Sequence, residues 1–96
     1  MSPKNKIKLN LLRKKLDKLD NQLLKLIKKR TKIVEKVLSL KNYKKEIIDK
    51  KRITSILKKI KKKSIQKKID HKITERIWLN MIWSYINYER KNFKKK

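Results

Sequence analysis

Residues 12–41 read LRKKLDKLDNQLLKLIKKRTKIVEKVLSLK. Leu12, Leu16, Leu19, Leu23 and Leu26 advance in alternating steps of four and three, and the series resumes at Ile33, Val37 and Leu40. That spacing keeps one face of an α-helix apolar. No glycine or proline interrupts the pattern over 8–41, which predicts a single helix of about 50 Å at 1.5 Å per residue. So long a helix cannot bury its face against the remainder of a 96-residue chain. It needs a partner helix, most simply the same helix of a second subunit. One position breaks the apolar series, and it is occupied by Arg30.

An unpartnered guanidinium on an apolar seam is costly. Either a carboxylate of the fold, such as Glu35 or Glu89, meets it, or an anionic ligand does. Lys41 lies eleven residues on, about 20° from the direction of Arg30 at 100° per residue, so the two side chains converge on one region. Arg13 lies seventeen residues back, about 25 Å along the axis and about 100° around it. One small ligand cannot touch both arginines of one helix. Arg13 therefore serves the other subunit's site if the long helices pair antiparallel.

Composition narrows the choices. The chain contains no Gly, no Ala and no Cys, and its single Pro is Pro3. The absence of cysteine excludes disulfides, thiolate zinc sites and a cysteine nucleophile. With no glycine there is no glycine-rich phosphate loop. The eight carboxylates show no metal-ligand spacing, and the one histidine, His71, reads as a surface residue beside a helix start. MSPKNKIKLN has no apolar run of the signal-peptide kind. The longest charge-free stretch, IWLNMIWSYINY (77–88), is well short of the ~20 apolar residues that span a bilayer. A cytoplasmic protein with no membrane contact is expected. The net charge of +25 fits nonspecific affinity for nucleic acid. Lysine spread along every polar face also fits a solvated surface drawn from A+T-biased coding.

The expected fold is all-α: one long, one short and one medium helix in an intertwined homodimeric bundle, a single domain over 1–96. KNYKKEI (41–47) loses the period and reads as a loop. Asp49 caps a second helix carrying Ile53, Ile56, Leu57 and Ile60. KKIKKKSIQKK (58–68) blurs the period and reads as a connector or frayed end. Asp70 caps a third helix, on which Trp78, Ile82, Tyr85 and Glu89 form one stripe. Residues 1–7 and 94–96 are expected to be disordered. Asp49 and Arg52 share a face at i, i+3. Inward-facing arginines and a lysine describe a pocket for a small, multiply anionic ligand.

The whole pattern resembles the all-helical (AroQ-class) chorismate mutases. Their first helix reads roughly L-R-x-x-I-D-x-x-D-x-x-L-L-x-L-x-x-x-R and then reaches a lysine. Leu12, Arg13, Leu16, Asp17, Asp20, Leu23, Leu24, Leu26, Arg30 and Lys41 fit it without a gap. The family's D-x-x-R-E fits Asp49, Arg52 and Ile53, with Ile53 in place of the glutamate and a loop one residue shorter. On the third helix Ile69, Asp70, Ile73, Ile77, Trp78, Met81, Ile82 and Glu89 align ungapped. The family serine one turn before Glu89 falls on Tyr85, with Ser84 adjacent. Three of the five arginines occupy family arginine positions, in a chain that otherwise writes lysine.

The resemblance implies rearrangement of chorismate to prephenate in phenylalanine and tyrosine biosynthesis, a unimolecular reaction that uses no cofactor or metal. It implies that Arg30, Arg52 and the other subunit's Arg13 hold the two substrate carboxylates. Lys41 and Glu89 would flank the ether oxygen, and the Asp49 region, with Ile53 and Tyr85, would line the site. To donate toward that oxygen Glu89 must carry a proton, so activity is expected to fall as pH rises through its titration. Two other readings use the same residues: the same fold with isochorismate-pyruvate lyase chemistry, and a basic helical nucleic-acid-binding protein. Arg30→Lys separates the last from an enzyme, because nonspecific nucleic-acid affinity depends on total charge and that substitution preserves it.

Overall fold

The first element, α1, runs Pro3–Leu40 in the computed structural model, which describes residues 1–94. It starts five residues before the periodic pattern because Ser2 and Pro3 supply a start signal. The Ser2 hydroxyl accepts from the Asn5 amide at 3.2 Å. Pro3 takes the first helical position, where its missing N–H leaves nothing unsatisfied. Residues 3–7, expected to be disordered, are therefore helical, while Lys95 and Lys96 of the expected disordered tail lie outside the described residues. Leu12, Leu16, Leu19, Leu23 and Leu26 each keep 54–60% of their surface exposed. The seam is real as a pattern but is not covered by this chain.

The chain falls into two compact units, Met1–Val34 and Glu35–Lys96. The first is the greater part of α1. The second contains the end of α1, a 3₁₀ turn at Lys44–Ile47, α2 (Lys50–Gln66) and α3 (His71–Asn92). Among the described residues there are three α-helices and no strand, so the all-α reading of the sequence is correct.

The core of the second unit is small. Leu38, Ile47, Ile82 and Ile86 are buried, and Ile48, Ile53, Ile56, Leu57 and Phe93 pack around them. The loop read at 41–47 folds into its 3₁₀ turn because Glu46 reaches back: its Oε1 accepts from the amides of Asn42 and Tyr43 at 3.1 and 2.9 Å. Both expected caps are present. Asp49 accepts from the Arg52 amide and Asp70 from the Lys72 amide, each at 3.0 Å. Such a cap contributes about 1 kcal/mol relative to alanine.

The run at 58–68 differs from expectation. It is neither connector nor frayed end, since α2 continues unbroken to Gln66. Lysine is a competent helix former, and the inward positions Ile60 and Ser64 hold the register that the lysines obscure. Buried Ser64 donates to the Ile60 carbonyl at 2.6 Å and shares a 2.7 Å hydrogen bond with Thr74 of α3, so the two helices are tied by hydroxyls. The turn after α2 needs a left-handed residue, and without glycine it falls to Lys68, at φ 58°. His71 departs from the surface reading as well: it is half-buried, and its Nδ1 is enclosed without a hydrogen-bond partner.

Candidate active site

Lys41 follows the last residue of α1, and its amide donates to the Leu38 carbonyl at 3.1 Å, which closes the final turn. That turn directs its side chain toward α3. There its Nζ lies 3.0 Å from Glu89 Oε1, an ion pair in which the lysine side chain is 17% exposed and the glutamate 7%. Glu89 lies on the buried face of α3, one turn after Ile86 and two after Ile82. A carboxylate withdrawn this far from water requires a partner, and removing one member of such a pair costs about 3–5 kcal/mol. The resemblance placed Lys41 and Glu89 on opposite sides of one ligand atom. The fold brings them together across 48 residues of sequence.

Asp49 opens toward the same region. An open groove of about 530 Å³ is lined by Lys41, Glu46, Ile48, Asp49, Lys50 and Lys51. The Asp49 side chain is engaged with the Arg52 backbone, and Arg52 itself is exposed. Ile53, at the position of the family glutamate, is half-buried and packs against the Ile82 and Ile86 core. It is a packing residue with no polar group to offer. Tyr85 is half-buried on the Ile82–Glu89 stripe and has interactions of its own.

The two remaining arginines of the expected site lie in the other unit. Arg30 is half-buried and has interactions of its own, while its seam neighbours Leu26 and Ile33 are exposed; Arg13 is exposed. Of the carboxylates considered as partners for Arg30, Glu89 accepts from Lys41 and Glu35 accepts from Tyr88 Oη at 2.7 Å. The Tyr88 contact carries no sequence signal, since two polar residues on different helices follow no period. It raises the Tyr88 phenol above its usual pKa, first through the hydrogen bond to Glu35, then through desolvation and the nearby negative charge.

Among the described residues no three His, Asp or Glu side chains gather as metal ligands do. No described helix is long and apolar enough to cross a membrane. Within the second unit, Lys41, Lys50 and Lys51 present cations near one buried carboxylate, Glu89, and the apolar side chain of Ile48. Such an arrangement can bind and orient an anionic molecule and stabilise charge that develops on an oxygen.

The family model described as chorismate mutase type II matches residues 12–90, from the leucine that opens the α1 seam to the last turn of α3. No curated protein and no solved structure matches the chain. With the match covering most of the sequence and all three helices, the chain belongs to the chorismate mutase type II family, an isomerase family.

Proposed function

We propose that the protein is a homodimeric chorismate mutase, converting chorismate to prephenate for phenylalanine and tyrosine synthesis without cofactor or metal. The observation that carries the reading is the 3.0 Å pairing of Lys41 with buried Glu89. It stands at the two positions to which the resemblance gives contact with the ether oxygen.

The rearrangement breaks one carbon–oxygen bond as one carbon–carbon bond forms, with no proton or group transferred. The protein's task is to hold the compact conformer and to meet charge growing on the ether oxygen. In this reading Arg30 and Arg52, with Arg13 of the second subunit, clamp the two carboxylates. Arginine suits that task because its planar fork matches a carboxylate with two parallel hydrogen bonds. Lys41 donates to the ether oxygen. Glu89 pairs with the Lys41 ammonium and, when protonated, donates from its own side. The Asp49 region positions the substrate hydroxyl, and Ile53 and Tyr85 form part of the wall.

The exposed seam of α1 supports the dimer. Leucines at 54–60% exposure over several turns form a longer apolar strip than a monomer's surface usually carries. Covering each contributes about 1 kcal/mol. Antiparallel pairing of two such helices would cover both seams and bring Arg13 of one subunit toward the Arg30 and Lys41 of the other. Residues 1–96 form one domain in this reading, completed by a second copy and working in the cytoplasm.

The test is direct. Purified protein is mixed with chorismate, the fall in its ultraviolet absorbance is followed, and the product is assayed as prephenate. Loss well above the uncatalysed rate is expected. No such loss in a protein shown to be folded and dimeric would sink the proposal, and release of pyruvate from isochorismate in its place would assign lyase chemistry.

A further inference from the structure

Arg13, Arg30 and Arg52 are taken up by the proposed mutase site, which leaves Arg76 and Arg90, both on α3. They stand seven residues before and seven residues after Trp83. Seven residues of helix amount to about 20° of rotation and about 10 Å of rise, so the two guanidiniums flank the indole along one line. Leu79 lies four residues before Trp83, about 40° to one side. Trp83 keeps 45% of its surface exposed and Leu79 40%, and Arg76, Asn87 and Arg90 are exposed. This stripe is turned about 100° from Ile82 on the buried face.

The stripe contains no carboxylate. Those of Glu35–Lys96 are committed elsewhere: Glu35 to Tyr88, Glu46 to the 3₁₀ turn, Asp49 and Asp70 to helix caps, and Glu89 to Lys41. Glu75 lines a groove between α2 and α3 with Thr54, Leu57, Lys58 and Lys61. An exposed indole between two arginines, with no negative charge on its own strip, fits a ligand that offers flat apolar faces and repeated negative charges together.

We propose that the Arg76–Trp83–Arg90 stripe of α3 binds single-stranded nucleic acid, the indole stacking on a base while the guanidiniums hold phosphates on either side. Stacking on an aromatic side chain needs an unpaired base, which favours a single strand over a duplex. Arginine serves better than lysine here because it pairs with phosphate through two N–H groups and itself stacks on bases. The net charge of +25 draws a polyanion in, and the stripe gives it a place to seat. An acidic peptide would satisfy the arginines but offers the indole no repeated flat faces. The inference does not rest on the mutase reading.

The experiment measures fluorescence anisotropy of labelled (dT)12, U12 and a 12-base-pair duplex against the full-length protein at fixed salt. Tighter binding of either single strand than of the duplex is expected. Trp83→Ala should weaken single-strand binding about tenfold, the scale of one lost stacking contact. Trp83→Phe should retain most of it, and should serve as the comparison if the alanine variant loses helix by circular dichroism. The double variant Arg76→Lys/Arg90→Lys should weaken it severalfold although the net charge is unchanged. Chorismate turnover should stay at the wild-type rate in every variant. Equal affinities across wild type, Trp83→Ala and the double lysine variant would overturn the inference and leave only diffuse charge. So would displacement of the oligonucleotide by an acidic peptide at matched charge, if that displacement depends on Trp83.

Discussion

In the proposed mutase site, Glu89 carries the largest chemical demand on any single residue. Its oxygen accepts from Lys41, whereas the donor role proposed for it toward a ligand oxygen needs the protonated form. If that role holds, mutase activity is lower in alkaline than in acid solution, and Glu89→Gln, a neutral donor at every pH, should give a flat profile. A wild-type profile flat from acid to alkaline would remove Glu89 from the donor role. Tyr88 supplies a second pH test, independent of catalysis. Its folded pKa is raised by Glu35, so the contact stabilises the fold fully below the ordinary phenol value near 10 and is lost as pH rises through the folded value. A phenolate absorbance titration of wild type against Tyr88→Phe should assign the latest-titrating tyrosine to Tyr88, and Glu35→Gln should bring that step back toward the ordinary range. At this scale the sequence was partly legible. Asp49 and Asp70 could be read as caps because capping is local chemistry, and Arg30 stood out as a charge on an apolar seam. The pairing of Lys41 with Glu89 joins residues 48 apart, and no periodicity reaches that far; only the family pattern pointed to it.

Among the elements, α2 shows how composition can hide structure. A run of lysines masked the period at 58–66, yet Ile60 and Ser64 face inward and the helix persists to Gln66. The start of α1 was hidden differently, because its signal is the pair Ser2–Pro3 and not an apolar repeat. The turn between α2 and α3 bears the cost of a chain without glycine. Lys68 sits at φ 58°, where a Cβ crowds the following carbonyl. The capping pattern there is complete, with the Lys68 amide donating to Ile65 and the Ile69 amide to Ser64. Lys68→Gly should therefore stabilise the protein by about 1 kcal/mol, read as a shifted midpoint in urea at unchanged slope. A loss of stability would mean that the lysine side chain contributes more there than the strain takes away.

The whole molecule has more apolar helix than one chain can cover. Among the described residues its core is four buried aliphatic side chains, Leu38 of α1 among them, while the seam leucines from Leu12 to Leu26 stay open. That imbalance was legible from the outset, since a helix of 38 residues in a chain of 96 leaves too little to pack against it. In the proposed dimer, what a second copy would cover, and which arginine it would lend, follow from the seam and the angular positions of Arg13, Arg30 and Lys41. The sharing of each catalytic site between the two subunits of the proposed dimer is open to direct measurement. It is tested by mixing two variants, Arg13→Ala and Lys41→Ala, each nearly inactive as its own dimer. After exchange of subunits, half the dimers are mixed, and one of the two sites in each has both residues intact, so activity should return to about a quarter of wild type. Mixtures that stay as inactive as the separate variants, with subunit exchange demonstrated, would contradict it.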